Sequence, residues 1–404
     1  MIKIEGKYNT AMVFTDNVDP GAISQITSYL NQDYSKGRKI RIMPDVHLGV
    51  GITIGFTTDL GEELVPNLVG VDIGCGILTV ELGKVDINLE ILDKIIYQNI
   101  PAGFNVQKEI KYRFDKLRDL HCLRELKDTR RIERGIGSLG GGNHFIEVNI
   151  DSKDNKFLVI HSGSRNLGNQ VAKYYQNIAV ESIRNDIDYL AKKNEIIEEY
   201  RSKGKHRDIG KALNKLKKEN KRDLKYPKDL CYLVGKSKEM YLHDMNICQK
   251  YAKINREVMA DIILQNLFNR SLNSFPHFHT VHNYINFEDG ILRKGAISAH
   301  EGELVIIPIN MRDGSILARG KGNPEWNYSA PHGAGRLMSR GEAKETIRMN
   351  DYLKSMQGIY TSSVKETTLD EAPFAYKSID EILSKVGDTV DIIDILKPIF
   401  NFKA

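Results

Sequence analysis

Two groups with metal-ligand chemistry, the Asp72 carboxylate and the Cys75 thiol, stand three residues apart in Val69-Gly-Val-Asp-Ile-Gly-Cys-Gly-Ile-Leu-Thr-Val80. Gly70, Gly74 and Gly76 let the backbone bend there and approach whatever the two side chains hold. An oxygen and a softer sulfur at one turn suit a single metal site. A cysteine alone among apolar residues is ordinarily just buried, so the pair needs support from elsewhere in the chain. Four histidines supply it. His144 ends a glycine-rich loop, His161 ends an apolar run, His282 sits in a short apolar run, and His332 opens His-Gly-Ala-Gly. Any one of them alone reads as a hydrogen-bonded structural histidine. Several beside glycine turns, together with Asp72 and Cys75, favour a metal site. His277 and His279 compete with His282 within Phe275-Pro-His-Phe-His-Thr-Val-His282. His121, His206, His243 and His300 read as structural, and His47 is intermediate, beside Asp45 in a proline-initiated turn.

The loop Gly137-Ser-Leu-Gly-Gly-Gly-Asn143 suits close approach of backbone amides to an anion, a triphosphate included. It is not a Walker loop, and Gly235-Lys-Ser237 fails as one because position 230 is Leu. Nor does the loop open a βαβ unit with an acidic residue at dinucleotide spacing.

The elements that must position these residues can be read from hydrophobic spacing. The Val69–Val80 stretch predicts two short buried strands meeting at its glycine turn. Ala22 to Leu30 predicts a helix. Lys39 to Met43, Ile52 to Phe56, Leu64 to Val71, Phe145 to Val148, Phe157 to Ile160, Leu304 to Ile309 and Ile316 to Arg319 predict strands. Residues 87–134 read as mostly helical, and Gln170 to about Tyr200 and Ser237 to Asn269 as two long helices. Arg201 to Lys228 between them is basic and poor in apolar residues, which reads as a solvated insertion, with an RNA contact as the alternative. With no internal repeat or low-complexity linker, the expectation is an α+β chain, residues 1–404 in one domain, with mixed sheets and a helical excursion over about 170–270.

A hydrophobic content of 41% and a charged content of 27% place the 404-residue chain among soluble globular proteins. No segment is long and apolar enough to span a bilayer, and the N-terminus lacks a signal-peptide pattern, so a cytoplasmic location is expected. The four scattered cysteines argue for a reducing compartment and against a disulfide framework or zinc ribbon. A net charge of +5 permits an anionic partner without requiring one.

Pro44-Asp-Val-His, Val71-Asp-Ile-Gly-Cys-Gly, Gly140-Gly-Gly-Asn-His-Phe, His161-Ser-Gly-Ser-Arg and His332-Gly-Ala-Gly-Arg-Leu-Met-Ser-Arg340 occur in this order. In these motifs, and in Asp370-Glu-Ala-Pro-Phe-Ala-Tyr-Lys377 and the closing Leu396-Lys-Pro, the chain resembles the RtcB family of 3′-phosphate RNA ligases over nearly its whole length. The resemblance implies two manganese ions and GTP. Cys75 would bridge both ions, with Asp72 and His144 completing one shell and His161 and His282 the other. Asp45 would lie close to the chemistry, and His332 would attack the α-phosphate of GTP and become guanylylated. Asn143 would touch the phosphates. Glu147, Ser315, Tyr376 and Lys403 would contact the nucleotide, and Arg165 and Arg340 would hold RNA phosphates. GMP would pass to an RNA 3′-phosphate and leave on attack by a 5′-hydroxyl, a 2′,3′-cyclic phosphate being opened first. The partners implied are RNA carrying such ends and an activator of the archease type; a monomer is expected. The lysine motif of other nucleotidyl-transferring ligases, Lys-x-Asp-Gly, occurs nowhere in the chain.

The chain departs from the family pattern at Pro331, where a cysteine commonly precedes the histidine, and at Pro308-Ile-Asn-Met-Arg-Asp-Gly-Ser315. The basic stretch also looks additional. These features suggest a divergent bacterial branch, with repair of cleaved RNA as plausible as tRNA splicing. The rival reading is a metal-dependent phosphoesterase that opens cyclic phosphate ends without joining them.

Overall fold

The computed structural model describes residues 1–218 and 223–403. Its largest sheet has seven strands, all pairs antiparallel. Their order is Leu304–Asn310, Gly314–Gly320, Val390–Lys403, Phe145–Ile150, Lys156–Ser162, Gly76–Gly83 and His277–Val281. A six-stranded sheet runs Ile2–Glu5, Thr10–Val13, Ile40–His47, Ile54–Asp59, Ile291–Lys294 and Asn283–Asn286. It is mixed, because Thr10–Val13 and Ile40–His47 run parallel. Ala296–Ser298 and Ser329–Pro331 pair as a two-stranded ribbon. The expected α+β class is what the chain adopts, but only one of its sheets is mixed; the largest is antiparallel.

The strand Gly76–Gly83 shows why the residues after Cys75 read as a continuous apolar run. Leu78, Val80 and Leu82 face a core shared with Leu92, Ile96, Met259, Ile263 and Leu264. Ile77 faces another core with Phe145, Val159, Ile306 and Leu396. A strand covered on both faces needs apolar residues at successive positions. Each such side chain, fully buried, contributes roughly 1.5–3 kcal/mol, so the scaffold under Cys75 is rigidly specified. The 34-residue helix Gly235–Phe268 lies across one face and supplies Met259, Ile263 and Leu264.

Four expectations need correction. Only the second half of Val69–Val80 is strand. Leu64 to Val71 is not a strand either: Pro66 opens a single 3₁₀ turn, Pro66–Leu68, and Leu64 only bridges to Leu233. A proline has no N–H to give a ladder, so Asp72 comes off irregular backbone. The helix expected from Gln170 to Tyr200 is two helices, Arg165–Asn185 and Tyr189–Ser202. Asp186 stops the first in left-handed backbone, and Asp188 caps the second by accepting from Ala191 N–H. Residues 87–134 contain the helix Leu89–Asn99, then only short turns and Thr129–Glu133. In the basic stretch the helix Ile209–Lys218 follows a 3₁₀ turn at His206–Asp208; residues 219–222 lie outside the described residues.

The C-terminal strand Val390–Lys403 has no counterpart among the strands expected from hydrophobic spacing. It sits mid-sheet and pairs Lys403 with Phe145 and Asn401 with Glu147. The chain's end is thereby brought beside the glycine-rich loop.

Candidate metal centre and nucleotide cleft

Cys75 closes the turn before its strand, its N–H donating to Asp72 O at 3.1 Å, which orients both side chains to one side. His144 immediately precedes Phe145–Ile150, and His161 lies near the end of Lys156–Ser162. Because Phe145 pairs with His161 and Ile77 with His161 in neighbouring ladders, three adjacent strands deliver these side chains together. His282 follows the edge strand His277–Val281, its N–H donating to Cys75 O at 2.9 Å.

The resulting cluster is tight. Cys75 Sγ lies 3.4 Å from Nε2 of His144 and 3.4 Å from Nε2 of His161. Asp72 Oδ2 is 3.0 Å from His144 Nε2, and the Nε2 atoms of His161 and His282 are 3.3 Å apart. Two overlapping triads result, Asp72–Cys75–His144 and Cys75–His161–His282, with donor atoms within 4.8 Å in each. Cys75 is the residue common to both. The competitors of His282 are placed elsewhere: His277 folds onto Phe275 O, and His279 onto Glu257.

The ring orientations are set by backbone. His144 Nδ1 meets Leu139 O at 2.9 Å and His161 Nδ1 meets Asn143 O at 3.1 Å. A carbonyl only accepts, so each Nδ1 donates to it and each Nε2 is the nitrogen turned to the cluster. Burial holds His161 and His282 well below the ordinary histidine range, so both are neutral near pH 7. Burial pushes the Cys75 thiol well up. For Asp72 burial acts upward, but hydrogen bonding from His144 leads the opposing effects, which leave it lowered and ionised.

Buried Asp72 Oδ1 and His282 Nδ1 have no protein partner. Unpaired buried polar atoms are expensive unless something else satisfies them. A soft thiol, neutral imidazoles and an ionised carboxylate with a spare oxygen form a donor set that fits divalent cations.

His332 lies against this cluster, its ring centroid 4.7 Å from that of His282. Asp45, on the strand Ile40–His47, accepts from the His332 backbone N–H at 3.1 Å and meets its Nδ1 at 2.6 Å, through the same oxygen, Oδ2. With Nδ1–H donating to Asp45, the His332 lone pair is at Nε2. Asp45 is fully buried and its Oδ1 is unpartnered.

A cleft of about 540 Å³ opens above the cluster, large enough for a nucleotide. Its lining includes Asn143, Glu147, His161, His332, Tyr376, Lys403 and Arg340, so six expected residues besides His161 meet there. Behind one wall the buried Glu371 binds Lys403 Nζ at 2.6 Å and accepts from Tyr376 OH at 2.7 Å, with Arg340 Nη1 at 2.8 Å. Burial raises the Glu371 pKa, but the Lys403 and Arg340 charges outweigh it and bring it down to about 2. Burial carries Glu147 up to about 7 against Lys403 and the Asn401 amide.

Two expected residues lie away from the cleft, and a third, within it, is engaged by carboxylates. Ser315 does not line the cleft; it is fully buried in the strand behind Pro308, its Oγ unpartnered. Arg165 donates to Ser138 Oγ and Gly103 O at 3.1 and 2.9 Å, inside the protein. Arg340 is committed to Asp370 and Glu371, though half its side chain stays exposed.

Sequence reasoning missed Glu371, Asn255 and Arg256. Asn255 Oδ1 accepts from the N–H groups of Gly137 and Ser138, which takes two amides of the glycine-rich loop out of reach of an anion. Arg256 Nη1 donates to Gly74 O and Ser162 O, both at 2.8 Å, tying together the backbone beside Cys75 and His161. The signal was present: Cys248, Ala252, Asn255, Arg256 and Met259 share the buried helical face. Polar residues on a core stripe have a partner to find.

Neutral imidazoles, a thiol and a carboxylate clustered beside an oriented histidine, beneath a nucleotide-sized cleft, define a candidate metal-dependent group-transfer enzyme. The chain belongs to the RtcB family: a sequence-family profile described as "tRNA-splicing ligase RtcB" matches residues 34–128 and 121–404. It is similar to the RNA-splicing ligase RtcB of Escherichia coli strain K12, 29% identical over 403 residues spanning 91% of this chain and 90% of that one. It is also similar to the tRNA-splicing ligases RtcB of Aeropyrum pernix and Thermococcus kodakarensis. These are 27% and 26% identical, over 87% and 86% of this chain and 84% and 83% of theirs.

Proposed function

We propose that this chain is an RNA ligase that joins RNA 3′-phosphate or 2′,3′-cyclic phosphate ends to 5′-hydroxyl ends and consumes GTP. The observation that carries the reading is the Asp45–His332 pair set against the Cys75-centred cluster, in a chain of the RtcB family.

Cys75, Asp72, His144, His161 and His282 would hold two divalent cations, manganese by family resemblance. Bound there, the cations would supply Lewis-acid stabilisation of charge on phosphate oxygens. The remaining work falls to side chains. Asp45 takes the Nδ1 proton of His332 as a hydrogen bond, which fixes the tautomer and leaves Nε2 nucleophilic. His332 Nε2 forms a bond to the α-phosphorus of GTP as the bond to the β-phosphate oxygen breaks and pyrophosphate leaves. An oxygen of the RNA 3′-phosphate then displaces His332 from the GMP phosphorus. The 5′-hydroxyl oxygen finally attacks the RNA 3′-phosphorus, loses its proton and expels GMP. Asp45 stabilises the imidazolium character that develops on His332 in the first step. Asn143, Glu147, Tyr376 and Lys403 line the cleft; Asn143 would meet the phosphates and the other three the rest of the nucleotide. Arg340, half exposed in the cleft lining, would hold an RNA phosphate.

The test is a joining assay with two RNA fragments bearing 3′-phosphate and 5′-hydroxyl ends, GTP and manganese. Ligated product that depends on GTP is expected. Opening of 2′,3′-cyclic phosphate ends with no GTP-dependent joining would replace the proposal with the phosphoesterase reading.

A further inference from the structure

Phe104 is 93% exposed, the most solvent-exposed large apolar side chain among the described residues. Single exposed apolar residues are common on protein surfaces; its support and neighbours set this one apart. The backbone beneath it is held on several sides. Gly103 N–H donates to Gly140 O at 2.9 Å, Asn105 N–H to Ala102 O at 3.2 Å, and Arg165 Nη2 to Gly103 O at 2.9 Å. Arg131 donates to Phe104 O itself. Ala102 also bridges to Gly140 in parallel. A loop so fixed holds its aromatic ring out in water with no apolar surface of its own to cover it.

The loop that carries the ring packs against the glycine-rich loop leading to His144. Gly140, which receives the Phe104 loop, is four residues from His144, and Gly140 and Gly142 take positive φ values of +95° and +73°. The glycine-rich rim leaves Gly141, Gly142 and Asn143 exposed. Arg340 lies close to Gly142. The setting is therefore an outward aromatic ring on a loop braced by Arg131 and Arg165, beside open glycine backbone that the half-exposed Arg340 approaches. Single-stranded nucleic acid is bound by this combination: cations and amides for the phosphates, an aromatic face for an unpaired base.

We infer that Phe104 is a stacking platform for an unpaired base of the RNA strand whose end enters the cleft. The inference rests on the RNA-ligase reading and adds to it the requirement that the bound end be single-stranded. It also gives the inward Arg165 a role, bracing the platform, and leaves the half-exposed Arg340 to meet phosphates.

The test uses the full chain and short single-stranded RNAs ending in a 3′-phosphate, with 2-aminopurine at successive positions near that end. Quenching at one position by the wild-type protein is expected, because stacking quenches that base. Phe104→Ala should lose the quenching and bind the RNA on the order of tenfold more weakly, as for loss of one base–aromatic stack. Phe104→Trp should restore both, and Phe104→Leu, apolar but not aromatic, should not. Unfolding transitions that match wild type exclude misfolding as the cause. Wild-type binding and quenching unchanged in Phe104→Ala would overturn the inference and leave the ligase reading standing. The same holds if Phe104→Ala binds RNA normally but loses stimulation by an activator protein, which would make the ring a protein contact. Failure of the wild-type protein to bind any such RNA would overturn both.

Discussion

Replacing Asp45 by Asn probes the link between fold and chemistry with a change of one atom. Asp45 Oδ2 takes two hydrogen bonds from His332, while Oδ1 has no partner and faces buried surroundings. If the Asn keeps its oxygen toward His332, both bonds survive but become neutral. A hydrogen bond to a charged group is worth about 1.5–3 kcal/mol and a neutral one about 0.5–1.5. The difference of about 1–2 kcal/mol, felt as positive charge builds on the imidazole, slows nucleotide transfer to His332 by roughly 5–30-fold. The amide nitrogen would then occupy the unpartnered Oδ1 position, where its N–H groups are unsatisfied. If the amide flips instead, it donates to Nδ1, forces the proton onto Nε2 and removes the nucleophile; a wrong tautomer of this kind costs on the order of 10⁴ in rate. The assay is the initial rate of label transfer from α-labelled GTP to protein under single-turnover conditions, with Asp45→Glu alongside. A rate for Asp45→Asn within twofold of wild type would refute the claim that Asp45 orients His332.

Cys75→Ala removes the one donor shared by both triads, so bound manganese should fall below stoichiometric levels by elemental analysis. Two retained ions would refute the shared-ligand role. Arg256→Met leaves Gly74 O and Ser162 O without that donor. Each abandoned buried acceptor costs about 1–3 kcal/mol, offset in part because a buried charge is no longer desolvated, so urea unfolding should show a net loss of about 3 kcal/mol. No loss would mean the guanidinium does not brace the site. Glu371 is held at about 2 against an ordinary 4.5, so its contribution is present above pH 4.5 and lost as pH falls toward 2. The stability gap between wild type and Glu371→Gln should be on the order of 3 kcal/mol at pH 7 and close below pH 4.5. A gap that does not change with pH would show that the Glu371 charge is not what matters.

Local patterns were legible where one physical signal dominated. The runs after Cys75, His144 and before His161 read as strands because they are buried on both faces, and ladder pairing then brought their polar ends together. The first half of the Val69–Val80 stretch misled for the converse reason: Leu64 to Val71 is apolar because it is buried, while Pro66 denies it a ladder. The break at Asp186 lay hidden in continuous helical spacing, since an aspartate in left-handed backbone leaves little trace in hydrophobic periodicity. Glu371 and the final strand depended on contacts between residues far apart in the chain. Nothing near Glu371 indicates that Lys403, 32 positions on, returns to meet it. Asp45 and His332 were both singled out, but their direct bond across 287 positions could come only from the tertiary structure.

The most direct test of the account is incubation with α-labelled GTP and manganese, then denaturation and mapping of the label, with His332→Ala in parallel. Acid-labile label on His332 of the wild type, absent from the variant, is the predicted result. Equal labelling of His332→Ala, or label mapped to a lysine, would contradict the assignment of His332 as nucleophile.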